Sequence, residues 1–196
     1  VSGGPDSLAL TALSKIYKNQ NKNRAIFVLI DHGIRKNSGS EASLVKKILK
    51  KQRILLHVIK NKKKIDRNIQ NRARLARYSL LSNYCRKKKI RFLLTGHHSD
   101  DQIETFLMRL SRGSGVQGLS AMRRITKLDN NITLIRPLLN LKKKDLSFIA
   151  KNFFGKVIKD PSNKDKKYLR TRLRSLKKAL EKSGIHHDQI IKSINN

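Results

Sequence analysis

The sequence predicts an α/β domain of the doubly wound class, a parallel sheet with helices on both faces. Three observations lead there. Short apolar runs alternate with longer stretches of helical spacing. The runs are nearly continuous in Val, Ile, Leu and Phe, as strands buried on both faces tend to be. The stretches between them reach a dozen residues or more, long enough for helical crossovers. At 196 residues the chain is long enough for one layered core without disulfides or a structural metal.

The elements can be taken in order. Ser2-Gly3-Gly4-Pro5-Asp6-Ser7 runs into the apolar, helix-forming Leu8-Ala9-Leu10-Thr11-Ala12-Leu13, predicting a helix that begins near Asp6. Residues 24–30 are a strand ending at Asp31-His32-Gly33, residues 40–51 a helix and residues 54–59 a second strand. A long helix lies within residues 69–88, with Leu75, Leu80, Leu81 and Tyr84 expected on one side, then a strand at residues 91–95. Gly96-His97-His98-Ser99-Asp100-Asp101 opens a helix running through Leu107, Met108 and Leu110. Residues 132–134 add a strand, and residues 142–151, 167–182 and 186–194 are helical. A phosphate loop at a helix start normally has a strand before it, so the chain is expected to begin inside its natural first domain. Its last short helix is expected to be cut off from a further C-terminal region.

The opening loop carries the first chemistry. Its glycines permit a tight turn, the first-turn N–H groups face outward, and the positive end of the helix favours an anion. There is no G-x-x-x-x-G-K-[ST] or G-x-G-x-x-G in the chain. Asp6 beside bound phosphates makes sense if a divalent cation lies between them. A Gly-Pro-Asp surface turn with an ordinary cap is the competing reading.

Charge narrows the partner. Lys and Arg total 46 against 13 acidic residues, a formal net charge of +33. Such a surface attracts polyanions, nucleic acid first among them, although a compositional excess of lysine contributes to the count. The dense Arg of residues 164–174, with Arg170, Arg172 and Arg174, suits phosphate forks better than a generic lysine face. Cys85, the single cysteine, falls within a helix and allows neither a disulfide framework nor a thiolate cluster. No stretch approaches a membrane span or a signal region, so a cytoplasmic protein with no membrane partner is expected.

The second candidate cluster is His97-His98-Ser99-Asp100-Asp101. One aspartate is expected to cap the helix. The other, Asp101, is expected to join Asp6 in holding Mg²⁺ on triphosphate oxygens. His97 or His98 would contact the α-phosphate or donate to developing charge, with His98 the expected site residue. Adjacent histidines seldom give the geometry of a closed zinc site. Arg112, with the Gly113-Ser114-Gly115 turn, either ends the helix or shapes a second substrate pocket. Asp31, His32 and Gly96 lie at strand ends, where ligands of this fold class bind.

Taken together, these residues resemble the tRNA(Ile)-lysidine synthetase family, a branch of the PP-loop ATP pyrophosphatases. The resemblance rests on Ser2-Gly3-Gly4-Pro5-Asp6-Ser7, on Asp31-His32-Gly33-Ile34-Arg35, and on Ala73-Arg74 with Arg77-Tyr78. It continues through His97-His98-Ser99-Asp100-Asp101-Gln102 with Glu104-Thr105, Arg109, Arg112-Gly113-Ser114-Gly115, Gly118-Leu119-Ser120-Ala121-Met122, Ile135-Arg136-Pro137-Leu138-Leu139 and Asp160-Pro161-Ser162-Asn163. It reaches to about Arg174. Gln70, Lys159 and Thr171 depart from the family's usual Glu, Glu and Asn, and Gln70 is given no role in lysine binding.

The resemblance implies an adenine-nucleotide alpha-hydrolase-like fold, with residues 1–160 as an ATP-binding catalytic domain and residues 161–196 as a basic helical extension toward tRNA. It implies ATP and Mg²⁺, with Ser2, Gly3, Gly4, Pro5, Asp6, Ser7, Asp31, His32 and Gly96 binding the nucleotide and Asp6, Asp101, His98 and Arg112 in catalysis. The partners would be tRNA(Ile) with a CAU anticodon and L-lysine. The wobble cytidine would be adenylated with release of pyrophosphate, and the lysine ε-amine would then displace AMP. The rivals are a PP-loop tRNA thiolase, which would be expected to use accessible cysteines, and a non-catalytic basic RNA-binding module.

Overall fold

A computed structural model describes the chain except for residues 35, 36, 64, 66, 159–166, 168 and 196, and the side chain of residue 178. Lys159, Asp160 and the Pro161-Ser162-Asn163 motif therefore lie outside the described residues, as do Arg35 and residues 164–166 of the basic segment.

The first turn sets the frame for the rest. Helix α1 spans Pro5–Asn21, with proline at its first position, Asp6 in its first turn and Gly4 as an extended N-cap. Gly3 has φ +80°, and a Cβ there would stand 2.7 Å from Val45 and 3.0 Å from Ile158, so this position needs glycine for both conformation and space. Strand β1 (Phe27–Asp31) pairs in parallel with β2 (Leu56–Lys60), with helix α2 (Ser38–Lys51) crossing between them. Helix α3 (Ile69–Lys87) leads to β3 (Phe92–Leu94), and α4 (Ser99–Leu110) opens directly after it.

Helices cover both faces of the β1–β2 pair. Leu29 and Leu56 share one buried cluster with Leu8 and Ala9 of α1, Val45 and Leu49 of α2, and Leu146 and Ala150 of α6 (Lys143–Phe154). On the other face His57 of β2 meets Tyr84 of α3, with ring centroids 6.1 Å apart. The parallel pairing and the flanking helices agree with the expected class.

Some details differ from the expectations. The described strands bond as two sheets, β1–β2 and β3–β5–β4, with β3 parallel to β5 (Thr133–Ile135) and β4 (Ile125–Lys127) antiparallel to it. Strand β4 has three residues, too few for a period to show, and exists because β5 pairs with it. A short helix α5 (Val116–Leu119) comes after the glycine turn. The predicted stripe on α3 is wrong at Leu75, which is 61% exposed while Ala73, Leu81 and Cys85 are buried. Those three follow at intervals of eight and then four residues, one side of a helix, and Leu75 points away from it.

Helix α7 (Leu169–Lys182) and helix α8 (His187–Asn195) fold back on α4. Ile190 and Ile194 close a small core with Ala121, Ile103 and Phe106. Among the described residues no helix is long and apolar enough to cross a membrane.

Candidate active site

Two of the three predicted segments meet at the starts of α1 and α4. A Cβ on Gly96 would stand 2.9 Å from the backbone carbonyl oxygen of Asp6, so glycine is what lets the β3–α4 turn close onto the first turn of α1. The loop before α1 is internally tied. The Ser2 N–H donates to Ser7 Oγ at 2.9 Å, and Ser7 Oγ donates to the Gly4 carbonyl at 3.1 Å. The first intrahelical bond runs from Leu8 N–H to the Gly4 carbonyl, so the N–H groups of Asp6 and Ser7 have no acceptor within the helix. Gly4 itself has ordinary extended geometry, and a Cβ there would meet Ser2 Oγ at 3.7 Å, an ordinary contact.

His98 occupies the centre of this junction. Its side chain is almost fully buried, with Nε2 at 3.5 Å from both Asp6 Oδ2 and Asp101 Oδ2, and Nδ1 at 3.7 Å from Asp100 Oδ2. Burial disfavours its charge, but the hydrogen bond to Asp6 and the charges of Asp101, Asp6 and Asp100 outweigh this and hold its pKa above the ordinary histidine value. Neither aspartate is the cap of α4. That position belongs to His98, and Asp101, three residues on, accepts its N–H at 3.0 Å. Asp100 turns outward, accepting from Lys143 N–H at 3.2 Å and from Lys177 Nζ at 3.1 Å.

This placement revises the role expected of the histidine pair. His98 is buried between the carboxylates of Asp6 and Asp101, which favour its charged form, and its Nδ1 has no hydrogen-bond partner. His97 is the opposite case. Its Nδ1 lies 3.0 Å from Thr95 Oγ1, and its pKa is lowered to about 4, chiefly by burial, with Asp101 opposing and Arg136, Arg74 and Arg170 adding to the fall. Asp100 is a third carboxylate near His98, at 3.7 Å from Nδ1, although its main partners are Lys143 and Lys177.

Asp6 Oδ1 is buried without a hydrogen-bond partner. An orphaned carboxylate oxygen beside an open helix N-terminus fits a divalent cation shared with phosphate oxygens. Among the described residues no group of three or more His, Cys, Asp or Glu side chains is arranged as a complete metal site, so such a cation would draw its other ligands from substrate and water.

The remaining predicted residues fall into place unequally. Asp31 is buried at the end of β1 and accepts the N–H of Gly33 at 3.0 Å. Both ring nitrogens of His32 are buried without partners, and burial together with Arg77 of α3 pushes its pKa down. Arg112 is not with the others. It is exposed beyond the far end of α4, about 16 Å from Asp101 at the helical rise. Arg174 is also spent elsewhere, on both carboxylate oxygens of buried Glu104, with Arg170 at 4.0 Å from the same group. Of the three predicted RNA-contacting arginines, Arg172 alone is exposed.

A family profile described as PP-loop domain matches residues 1–180. The chain belongs to the PP-loop family. This PP-loop chain is 46% identical over 183 residues to the tRNA(Ile)-lysidine synthase of Orientia tsutsugamushi (strain Boryong), covering 92% of this chain and 41% of that protein. It is 42% identical over 195 residues to that of Wolbachia pipientis wMel, covering 97% and 44%. It thus spans less than half the length of these two curated relatives. Among solved structures, the U34-tRNA thiolase NcsA from Methanococcus maripaludis with its 4Fe–4S cluster superimposes at a TM-score of 0.79 and 21% identity, covering all of this chain and 67% of that one. That likeness concerns the PP-loop fold.

Proposed function

We propose that this PP-loop protein is an ATP-dependent ligase that joins L-lysine to the wobble cytidine of tRNA(Ile) carrying a CAU anticodon. The observation that carries the reading is its 46% and 42% identity to tRNA(Ile)-lysidine synthases over nearly the whole chain.

The geometry supports the adenylation half. The cytidine 2-oxo oxygen attacks the α-phosphorus of ATP, the bond from that phosphorus to the oxygen bridging toward the β-phosphate breaks, and pyrophosphate leaves. The lysine ε-nitrogen then attacks C2 of that cytidine, the carbon bearing the adenylated oxygen, loses a proton, and the C2–O bond breaks to release AMP. The Ser2–Ser7 loop and the N–H groups of Asp6 and Ser7 meet the departing pyrophosphate on the positive end of α1. Asp31, His32 and Gly96 complete the nucleotide side. Mg²⁺ held by Asp6 and Asp101 would offset negative charge on the phosphates. His98 acts through those carboxylates as a positioning residue, fixing both before substrate arrives. Arg112, at the other end of α4, is left out of this step.

Thiolation is the weaker reading. Cys85 is 3% exposed, and burial with the nearby Asp129 charge pushes its thiol pKa up, the reverse of a reactive thiolate. A non-catalytic RNA-binding module does not account for three carboxylates gathered in a chain of charge +33. The test is nucleotide-resolved mass analysis of unmodified tRNA(Ile) after incubation of the full-length protein with ATP, Mg²⁺ and L-lysine. A lysine-sized addition at the wobble cytidine, with AMP and pyrophosphate released, is expected. Its absence despite bound ATP and tRNA overturns the function, and sulfur incorporation in a parallel incubation with sulfide in place of lysine supports the thiolase.

A further inference from the structure

A cleft of about 400 Å³ opens beside α4, between the segment 120–124, residues 139–140 and the end of α8. The charged side chains lining it are Arg123 and Arg124, both exposed; its other lining residues are neutral, and none is aromatic. Two guanidinium groups and the amides of Asn140 and Asn195 stand beside apolar Met122, Leu139 and Ile194, and cations with no aromatic stacking surface suit a phosphodiester backbone rather than a base.

The segment carrying these arginines is held from inside by two buried polar residues. Gln102, 6% exposed, donates from Nε2 to the Met122 carbonyl at 2.8 Å and accepts the Met122 N–H on Oε1 at 2.8 Å. Arg136, 7% exposed, donates from Nη1 to the Arg123 carbonyl at 2.6 Å and to Thr126 Oγ1 at 2.9 Å, and its backbone N–H donates to the Arg124 carbonyl at 2.9 Å. The carbonyls of three consecutive residues are therefore engaged by the core, while the two guanidinium groups stand outside it. A rigid base under two planar forks lowers the ordering cost of gripping phosphate. Gln102 is also the residue after Asp101 on α4, so the same helix fixes the arginine segment and a carboxylate of the site.

We propose that Arg123 and Arg124 form a lip that binds the RNA phosphodiester backbone and sets how the RNA lies along α4 toward Asp101. The proposal rests on the reading of this protein as a tRNA-modifying enzyme. Backbone contacts carry no sequence information, so the lip would act on cognate and non-cognate tRNA alike.

The test measures tRNA affinity against salt for the full-length wild type, for the R123Q/R124Q variant, and for K46Q/K47Q, which removes two exposed charges from α2. Binding of ATP and thermal melting report folding. R123Q/R124Q is expected to keep ATP binding and to flatten the slope of log affinity against log salt by about 1.5 units, equally for unmodified tRNA(Ile) and a non-cognate tRNA. K46Q/K47Q is expected to retain the wild-type slope. A wild-type slope in R123Q/R124Q, an equal flattening in K46Q/K47Q, or a loss confined to the cognate tRNA overturns the lip. A wild type that binds tRNA but adds no lysine leaves the lip to be decided by these slopes and overturns the function alone; a wild type that binds no tRNA overturns both.

Discussion

The Nε2 of His98 stands 3.5 Å from a carboxylate oxygen of Asp6, joining the start of α4 to the start of α1. The residues are far apart in sequence, and the contact is possible because Gly96 leaves room for the turn before α4 against the backbone of Asp6. Asp101, on the same nitrogen at 3.5 Å, makes the junction a carboxylate pair bridged by one imidazole, whose charged form the two acids favour.

The pair should matter more to catalysis than to RNA retention. Asp6→Asn and Asp101→Asn are each expected to slow ATP-dependent adenylate formation on the order of a hundredfold, roughly 3 kcal/mol. Single-turnover adenylation alongside tRNA binding checks this. Wild-type adenylation in both variants would remove the pair from the site.

His98 and His97 should give stability opposite pH slopes. In metal-free buffer the folded state holds the His98 proton more tightly than the unfolded chain does, so its contribution is full below about pH 6.5 and fades as pH rises through the elevated folded pKa. His97, lowered to about 4, makes the unfolded chain the better proton acceptor between that value and its ordinary one, so stability should rise with pH across that window. Denaturant unfolding from pH 4 to pH 8 is expected to show both limbs. H98N should lack the falling limb and H97N the rising one.

Gly96→Ala should destabilise through a backbone clash rather than a side-chain one. The contact is with the Asp6 carbonyl, which cannot rotate aside, so a loss of about 1–3 kcal/mol is expected. Gly113→Ala is a useful contrast, because a Cβ there meets nothing within 4 Å and the strain is in its φ of +69° alone. Thermal melts of the two variants separate crowding from conformation.

The arginines of α7 should divide by role. Removing Arg174 strands the buried carboxylate of Glu104, with Arg170 at 4.0 Å as a weak substitute, and should cost about 1.5–3 kcal/mol of stability. Arg172→Ala should lie within about 0.5 kcal/mol of wild type. If Arg172 meets a tRNA phosphate, its loss should flatten the salt slope by about one unit or less. Chemical denaturation and salt-dependent tRNA binding on the two single variants check both halves.

Read as a string, the chain already determined the class of fold, because buried strands and amphipathic crossovers leave different periods in the order of residues. It also determined the glycine loop at a helix start and the chemistry available there, since Gly3, Pro5 and Asp6 act within a few bonds of one another. Tertiary structure decided the partners. Asp101 takes the local capping contact with the His98 N–H, but what Asp100 meets, and what separates Arg172 from Arg174, arises from which neighbour α6, α7 or α4 brings against the side chain. Leu75 was misread for the same reason, because apolar spacing does not say which side of α3 meets the sheet. The role of His98 lay furthest from view. A histidine is charged or neutral according to what surrounds it, and here the surroundings come from Asp6 across the fold as well as from Asp101 beside it.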